Sequence, residues 1–216
     1  MNSSVQIEIW SDVQCVWCYV SDARWKRALQ SFGGNVELVH RSFELQPDFP
    51  AEFDAQEYLA KDRGLDAAAQ ERVFSVMKRT LSEEGLDYAP ERIRPTNSHL
   101  ALELLHHAEA VGLRDQLSER LFEAYFAQGA HLGTVDELCR LASEAGLDPA
   151  RTRVVLQSGF YRDSVDADSE RARALGARGV PFVVIDEKYV VPGAMEVDEL
   201  LRILREVTNS DRARSL

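Results

Sequence analysis

Residues 5–18 read VQIEIWSDVQCVWC, and the order of features in this stretch decides the fold. Val5, Ile7 and Ile9 alternate with Gln6, Glu8 and Trp10, the period-two pattern of a strand with one buried face. The alternation stops at Ser11-Asp12, and Cys15-Val16-Trp17-Cys18 follows at once. Beyond the cysteines, Trp25, Ala28, Leu29 and Phe32 fall at i, i+3, i+4 and i+7, one apolar helical stripe, which Gly33-Gly34 stops. Residues 36–43, VELVHRSF, read as a second strand closed off by Pro47 and Pro50. Strand, helix and strand with short connections predict a right-handed crossover and two parallel strands.

Strand grammar returns only near the other end. Residues 182–185 are continuously apolar, Asp186-Glu187-Lys188 form a turn and Tyr189-Val190-Val191 a second short run, which together predict an antiparallel hairpin. Pro181 would delete a ladder bond inside the strand, so it belongs at the entrance. On local sequence alone it reads as an ordinary trans turn proline, because only about 5–6% of X-Pro bonds in folded proteins are cis. Leu200, Ile203, Leu204 and Val207 mark a closing helix, with a polar tail expected to fray from Asn209.

Between these ends the chain reads as helices and turns. Gly64-Leu65, Gly85-Leu86, Gly112-Leu113 and Gly146-Leu147 suit helix stops, Gly taking the left-handed position and Leu the contact after it. Asp66, Asp87, Asp115 and Asp148 follow as candidate N-caps, Pro149 standing where N1 would fall. Thr134 to Glu137 have capping-box spacing. The expectation is one α/β domain, residues 1–50 and 158–216, interrupted by an all-helical insertion over 51–157.

Composition narrows the function. The 216 residues are 45% hydrophobic and 28% charged, the proportions of a globular chain with an ample core. With 25 Lys and Arg against 36 Asp and Glu the formal charge is −11, which repels nucleic acid and anionic lipid alike. No stretch approaches the roughly 20 apolar residues of a membrane span, and the N-terminus lacks the basic and apolar regions of an export signal. Three cysteines are too few, and odd in number, for a secreted disulfide framework. A reducing cytoplasm is the expected location.

There a closely spaced cysteine pair points to redox or metal chemistry. Cys15 falls where helix N-terminal N–H groups and the macrodipole favour a thiolate, so it is the expected nucleophile. Cys18 lies one turn further in, within disulfide reach and less accessible, and is expected to resolve the mixed disulfide. Metal is set aside for the pair, because structural zinc needs four ligands and no second C-x-x-C or finger-spaced histidine pair occurs.

Taken together, S-D-V-x-C-x-W-C after a strand, R-S-F-E-L at 41–45 and G-V-P-F at 179–182 resemble the DsbA-like thioredoxin superfamily, and most closely its FrnE-like branch. The resemblance covers nearly the whole chain. It implies a thioredoxin-like fold with an inserted helical domain, and a Pro181 that is cis, faces Cys15 and belongs with the catalytic residues. It also implies that Val180 pairs through its backbone with a bound substrate chain, with Val16 and Trp17 as further substrate contacts. Two departures bear on the redox couple. Val16 stands where the FrnE-like pattern usually has Pro, and Trp17 where DsbA proper has His. An indole offers only a neutral N–H to a nearby thiolate, so a less depressed Cys15 pKa and a more reducing couple are expected.

Other residues carry weaker signals. Cys139, between Leu138 and Leu141, reads as core. His99, Glu103, His106 and His107 share a predicted helix and can converge on a metal, but a solvated face is the expectation, and no metal or other cofactor is assigned. Asn97-Ser98-His99 leaves His99 a candidate substrate contact, since the resemblance places the following helix near the active site. Glu44 reads as a surface carboxylate with an outside claim to relay protons to Cys18. Leu117, Leu121, Phe122, Tyr125 and Phe126 read as core. The leading functional expectation is a thiol–disulfide oxidoreductase or isomerase acting on protein or peptide disulfides, with glutathione as a candidate co-substrate. The alternatives are a glutathione-dependent small-molecule isomerase or transferase of the kappa and hydroxychromene-carboxylate isomerase type, and a non-catalytic zinc or protein-binding module.

Overall fold

A computed structural model describes residues 4–49 and 66–214. The chain begins with β1 (Val5–Ser11), α1 (Val16–Phe32) and β2 (Val36–Ser42). Helices α2 (Ala67–Glu83), α3 (His99–Glu109), α4 (Arg114–Glu123), α5 (Val135–Glu144), α6 (Pro149–Ser158) and α7 (Arg162–Ala174) follow. Strands β3 (Phe182–Ile185) and β4 (Tyr189–Pro192) and helix α8 (Val197–Arg214) complete it, α8 running on past Asn209 where fraying was expected. A 3-10 turn spans Pro90–Arg92, and α4 widens into a π turn over Ala124–Gln128. The sheet order is β2-β1-β3-β4, with β1 parallel to β2 and antiparallel to β3, and β3 antiparallel to β4.

Three layers result. On one face Ile7, Ile9, Val183 and Ile185 pack against Trp25 and Ala28 of α1 and Leu200 and Leu204 of α8. On the other, Trp10, Phe182 and Val184 pack with Phe43 and with Ala172 of α7. The period-two pattern of β1 therefore misleads: it predicts one buried face, yet Glu8 is 3% and Trp10 0% exposed. Trp10 is buried because α7 covers it and its indole N–H donates to the Asp168 carbonyl at 2.9 Å. Glu8 survives burial because Arg41 and Arg171 reach its two oxygens at 3.1 and 2.9 Å, and a buried carboxylate requires such partners.

The helical region follows its punctuation closely. Gly85, Gly112 and Gly146 all take positive φ, and the N–H of each following Leu bonds back five residues, to Leu81, Ala108 and Ala142. Gly64-Leu65, and the expected domain junction at residues 50–51, lie outside the described residues. Asp66, Thr134 and Asp148 cap their helices by accepting from Ala69, Glu137 and Arg151 N–H. Two expected caps are corrected. Asp115 lies inside the first turn of α4, whose cap position is Leu113, because the Gly112 turn runs straight into the helix. Asp87 does not cap the next helical turn: residues 86–89 have no regular structure, and the cap of the 3-10 turn is Ala89.

One apolar cluster ties α1 to the helical region. Tyr19 stacks on Phe122 and Phe126, with ring centroids 5.1 and 5.6 Å apart. Val13, Cys15, Cys18 and Val20 share that cluster with Leu102, Leu105, Leu117 and Leu121. The cysteine pair thus sits on the seam between sheet and helices.

Candidate active site

The loop after β1 turns into α1 at Cys15, which occupies the N-cap position with extended backbone. Its N–H donates to the Asp12 carbonyl at 3.1 Å, and its carbonyl accepts from Cys18 and Tyr19. This geometry aims the first cysteine across the helix start and draws the second into the first turn. Both are free thiols and buried, Cys15 at 7% and Cys18 at 1% exposure. The Cys15 thiol donates to the Val180 carbonyl at 3.3 Å, and the Val180–Pro181 peptide bond is cis.

The two sulfurs are driven apart in acidity. A hydrogen bond from the Cys18 side chain holds Cys15 below the usual thiol range; burial opposes it, and the backbone N–H groups of Cys18 and Trp17 assist. Burial, and then the bond to Cys15, push Cys18 well above that range. Asp12 opposes Cys15 ionisation through its charge. It is 1% exposed, and burial pushes its carboxyl up to about 6 against bonds from Leu45 N–H, Gln14 N–H and Ser98 Oγ–H.

Gln14 and Asp12 are residues of this region to which the sequence reading assigns no role. The Gln14 amide donates to the Thr96 carbonyl and accepts from the Tyr125 hydroxyl at 3.1 Å. It fastens the residue before the nucleophile to the helical region. The signal for Asp12 was present in S-D-V-x-C, whereas that for Tyr125 was hidden, because a tyrosine among core-spaced apolar residues reads as core. It is indeed buried, as are Leu117, Leu121, Phe122 and Phe126.

Of the expected substrate contacts, Val16 and Val180 are half-buried and Trp17 is exposed beside the cysteines. Val16 borders a largely apolar cavity of about 220 Å³, walled also by Leu45, Met77, Tyr88, Ile93 and Phe126, with Asp12 and Gln14 at its polar edge. His99 is held by Glu44, whose Oε2 is 3.2 Å from its Nδ1. Asn97 clamps the same carboxylate, its amide donating to Glu44 Oε1 at 2.8 Å and to the Pro47 carbonyl at 3.2 Å. Glu44 is therefore no surface carboxylate but 7% exposed, kept ionised against burial by His99 and Asn97.

The expected solvated face on α3 is likewise overturned. Glu103 is 0% and His107 4% exposed, because α7 and the turn before it pack over this side of α3. His106 bonds Ser42 Oγ at 3.1 Å and lies 3.3 Å from Asp168 Oδ2, while His107 packs by Tyr161. The three histidines therefore diverge. Cys139 is buried in α5, apart from the pair.

Residues 6–205 match the model of the DSBA-like thioredoxin domain. A probable DsbA oxidoreductase from Streptomyces coelicolor is 33% identical with a TM-score of 0.88, over 94% of this chain and 89% of that one. The cytosolic disulfide reductase DsbM from Pseudomonas aeruginosa, solved with GSH, shares the fold at 17% identity and a TM-score of 0.68, covering 94% and 99% of the two chains. A 2-hydroxychromene-2-carboxylate isomerase does so at 14% identity and 0.69, covering 97% and 98%.

Proposed function

Because the chain belongs to the DSBA-like thioredoxin domain family, we propose that it is a cytoplasmic thiol–disulfide oxidoreductase or isomerase working through Cys15 and Cys18. The observation that carries the reading is a pair of free thiols one helical turn apart, with Cys15 at the helix N-cap and its Sγ on the carbonyl that precedes the cis Pro181. In the reducing direction the Cys15 thiolate attacks one sulfur of a substrate disulfide. A Cys15–substrate bond forms, the substrate S–S bond breaks, and the first substrate sulfur leaves as a thiolate. Cys18 then gives its proton to the second leaving sulfur and attacks Cys15 Sγ, closing the Cys15–Cys18 disulfide as the substrate departs reduced by two electrons. An oxidised pair runs the sequence backwards, and isomerisation stops at the mixed disulfide.

Val180 supports the placement of the substrate chain, since its carbonyl already accepts from Cys15 and stands beside the nucleophile. The adjacent cavity suits an apolar group flanking the substrate disulfide in a peptide or protein. Glutathione is a second candidate, suggested by the DsbM neighbour solved with it. No helix among the described residues is long and apolar enough to cross a membrane. A small-molecule isomerase of the hydroxychromene-carboxylate type fits the same fold, but retention of both cysteines with divergent acidities favours thiol exchange.

Trp17 lies between the cysteines, so its fluorescence should follow their redox state through a glutathione titration. A reversible two-electron transition, lost in Cys15→Ser, is expected. A flat titration with turnover of a glutathione-dependent isomerisation would replace the oxidoreductase by the alternative.

A further inference from the structure

Glu44 after β2, His99 at the start of α3 and Asp166 on α7 each offer one ligand atom, and these atoms lie within 4.8 Å of one another. The 3.2 Å between His99 Nδ1 and Glu44 Oε2 suits a hydrogen bond. It equally suits two donors on one ion, since ligands about 2.0–2.2 Å from a metal stand about 3 Å apart.

The far side of the imidazole supplies an independent observation. Glu103 is 0% exposed, and among the described residues no side chain hydrogen-bonds its carboxylate oxygens or His99 Nε2. Glu103 Oε1 stands 3.7 Å from that nitrogen. A metal-bound histidine almost always donates its other ring N–H to a carboxylate, which fixes the tautomer. His99 gives Nδ1–H to Glu44 Oε2 and turns Nε2 toward Glu103. A divalent cation taking the place of the Nδ1 proton would lie between Glu44 Oε2 and Nδ1 while Nε2 stays turned to Glu103. Asn97 occupies Glu44 Oε1, leaving Oε2 on the imidazole side.

The geometry points to a divalent-metal site formed by Glu44, His99 through Nδ1 and Asp166, with Glu103 orienting the imidazole. One imidazole nitrogen and two carboxylates, with room for water on the exposed Asp166 side, suit Mn²⁺ or Zn²⁺ and not a soft ion. This departs from the sequence expectation of no metal. The site is independent of thiol exchange, so each can fail without the other.

The test uses the full-length chain carrying Cys15→Ser and Cys18→Ser, which removes the reactive thiolates as competing donors. Mn²⁺ is titrated in and the free-ion electron paramagnetic resonance signal followed, with Zn²⁺ added by calorimetry. One equivalent of Mn²⁺ bound and displaced by Zn²⁺ is expected. Asp166→Asn, at an exposed position, should weaken binding at least about 10-fold, and Glu103→Gln about 10–100-fold, circular dichroism confirming that each variant is folded. If Glu103→Gln does not fold, Asp166→Asn decides alone. Absence of saturable Mn²⁺ and Zn²⁺ binding, or affinity unchanged in Asp166→Asn, would overturn the site.

Discussion

At the scale of single residues, Asp12 has the most consequences. Its charge opposes the Cys15 thiolate, so Asp12→Asn should lower the Cys15 pKa, visible as thiolate absorbance near 240 nm appearing at lower pH. Stability shifts as well. A carboxyl raised in the folded state from 3.8 to about 6 favours folding most when protonated, and that contribution is lost as pH rises through about 6. Wild type should therefore gain on Asp12→Asn by about 1.4 kcal/mol for each pH unit of acidification below 6, measured by urea unfolding, until the pH nears 4. An unchanged gap between the two proteins would mean that Asp12 does not titrate there. The sequence displayed Asp12 in its motif without revealing that Leu45 and Ser98, from distant segments, would enclose it. Glu44 and Glu103 were misjudged for the same reason: whether a polar residue is exposed depends on which elements pack over it.

At the scale of elements, local rules were legible wherever the chain alone sets the geometry. Gly-Leu stops and the caps Asp66, Thr134 and Asp148 are such cases, needing only a few neighbouring residues. Asp115 and Asp87 carry the same residue type, and turn geometry alone distinguishes them. Asp148→Ala should therefore cost about 1 kcal/mol by removing a cap, whereas Asp115→Ala at an exposed first-turn position should stay within about 0.5 kcal/mol. Equal losses in chemical denaturation would contradict the assignment. The hidden second face of β1 was beyond such rules, because only the packing of α7 and the reach of Arg41 and Arg171 make Trp10 and Glu8 interior.

At the scale of the whole molecule, the seam across Tyr19, Phe122 and Phe126 predicts how the chain unfolds. All three tryptophans, Trp10, Trp17 and Trp25, lie in β1 and the start of α1 or within it, whereas the helical region dominates far-ultraviolet circular dichroism. A continuous core should make the two probes report one midpoint in urea; two separated transitions would show that the helical region unfolds by itself. Gln14 gives the same seam a mechanical meaning. Thr96 and Tyr125, which hold its amide, are also walls of the apolar cavity, and Gln14 is covalently next to Cys15. The amide is thus a lever with its load in the cavity and its tip at the nucleophile. Peptide disulfides that differ only in the group lodged there should differ in the rate of mixed-disulfide formation at saturation, and not in affinity alone, as stopped-flow fluorescence can measure.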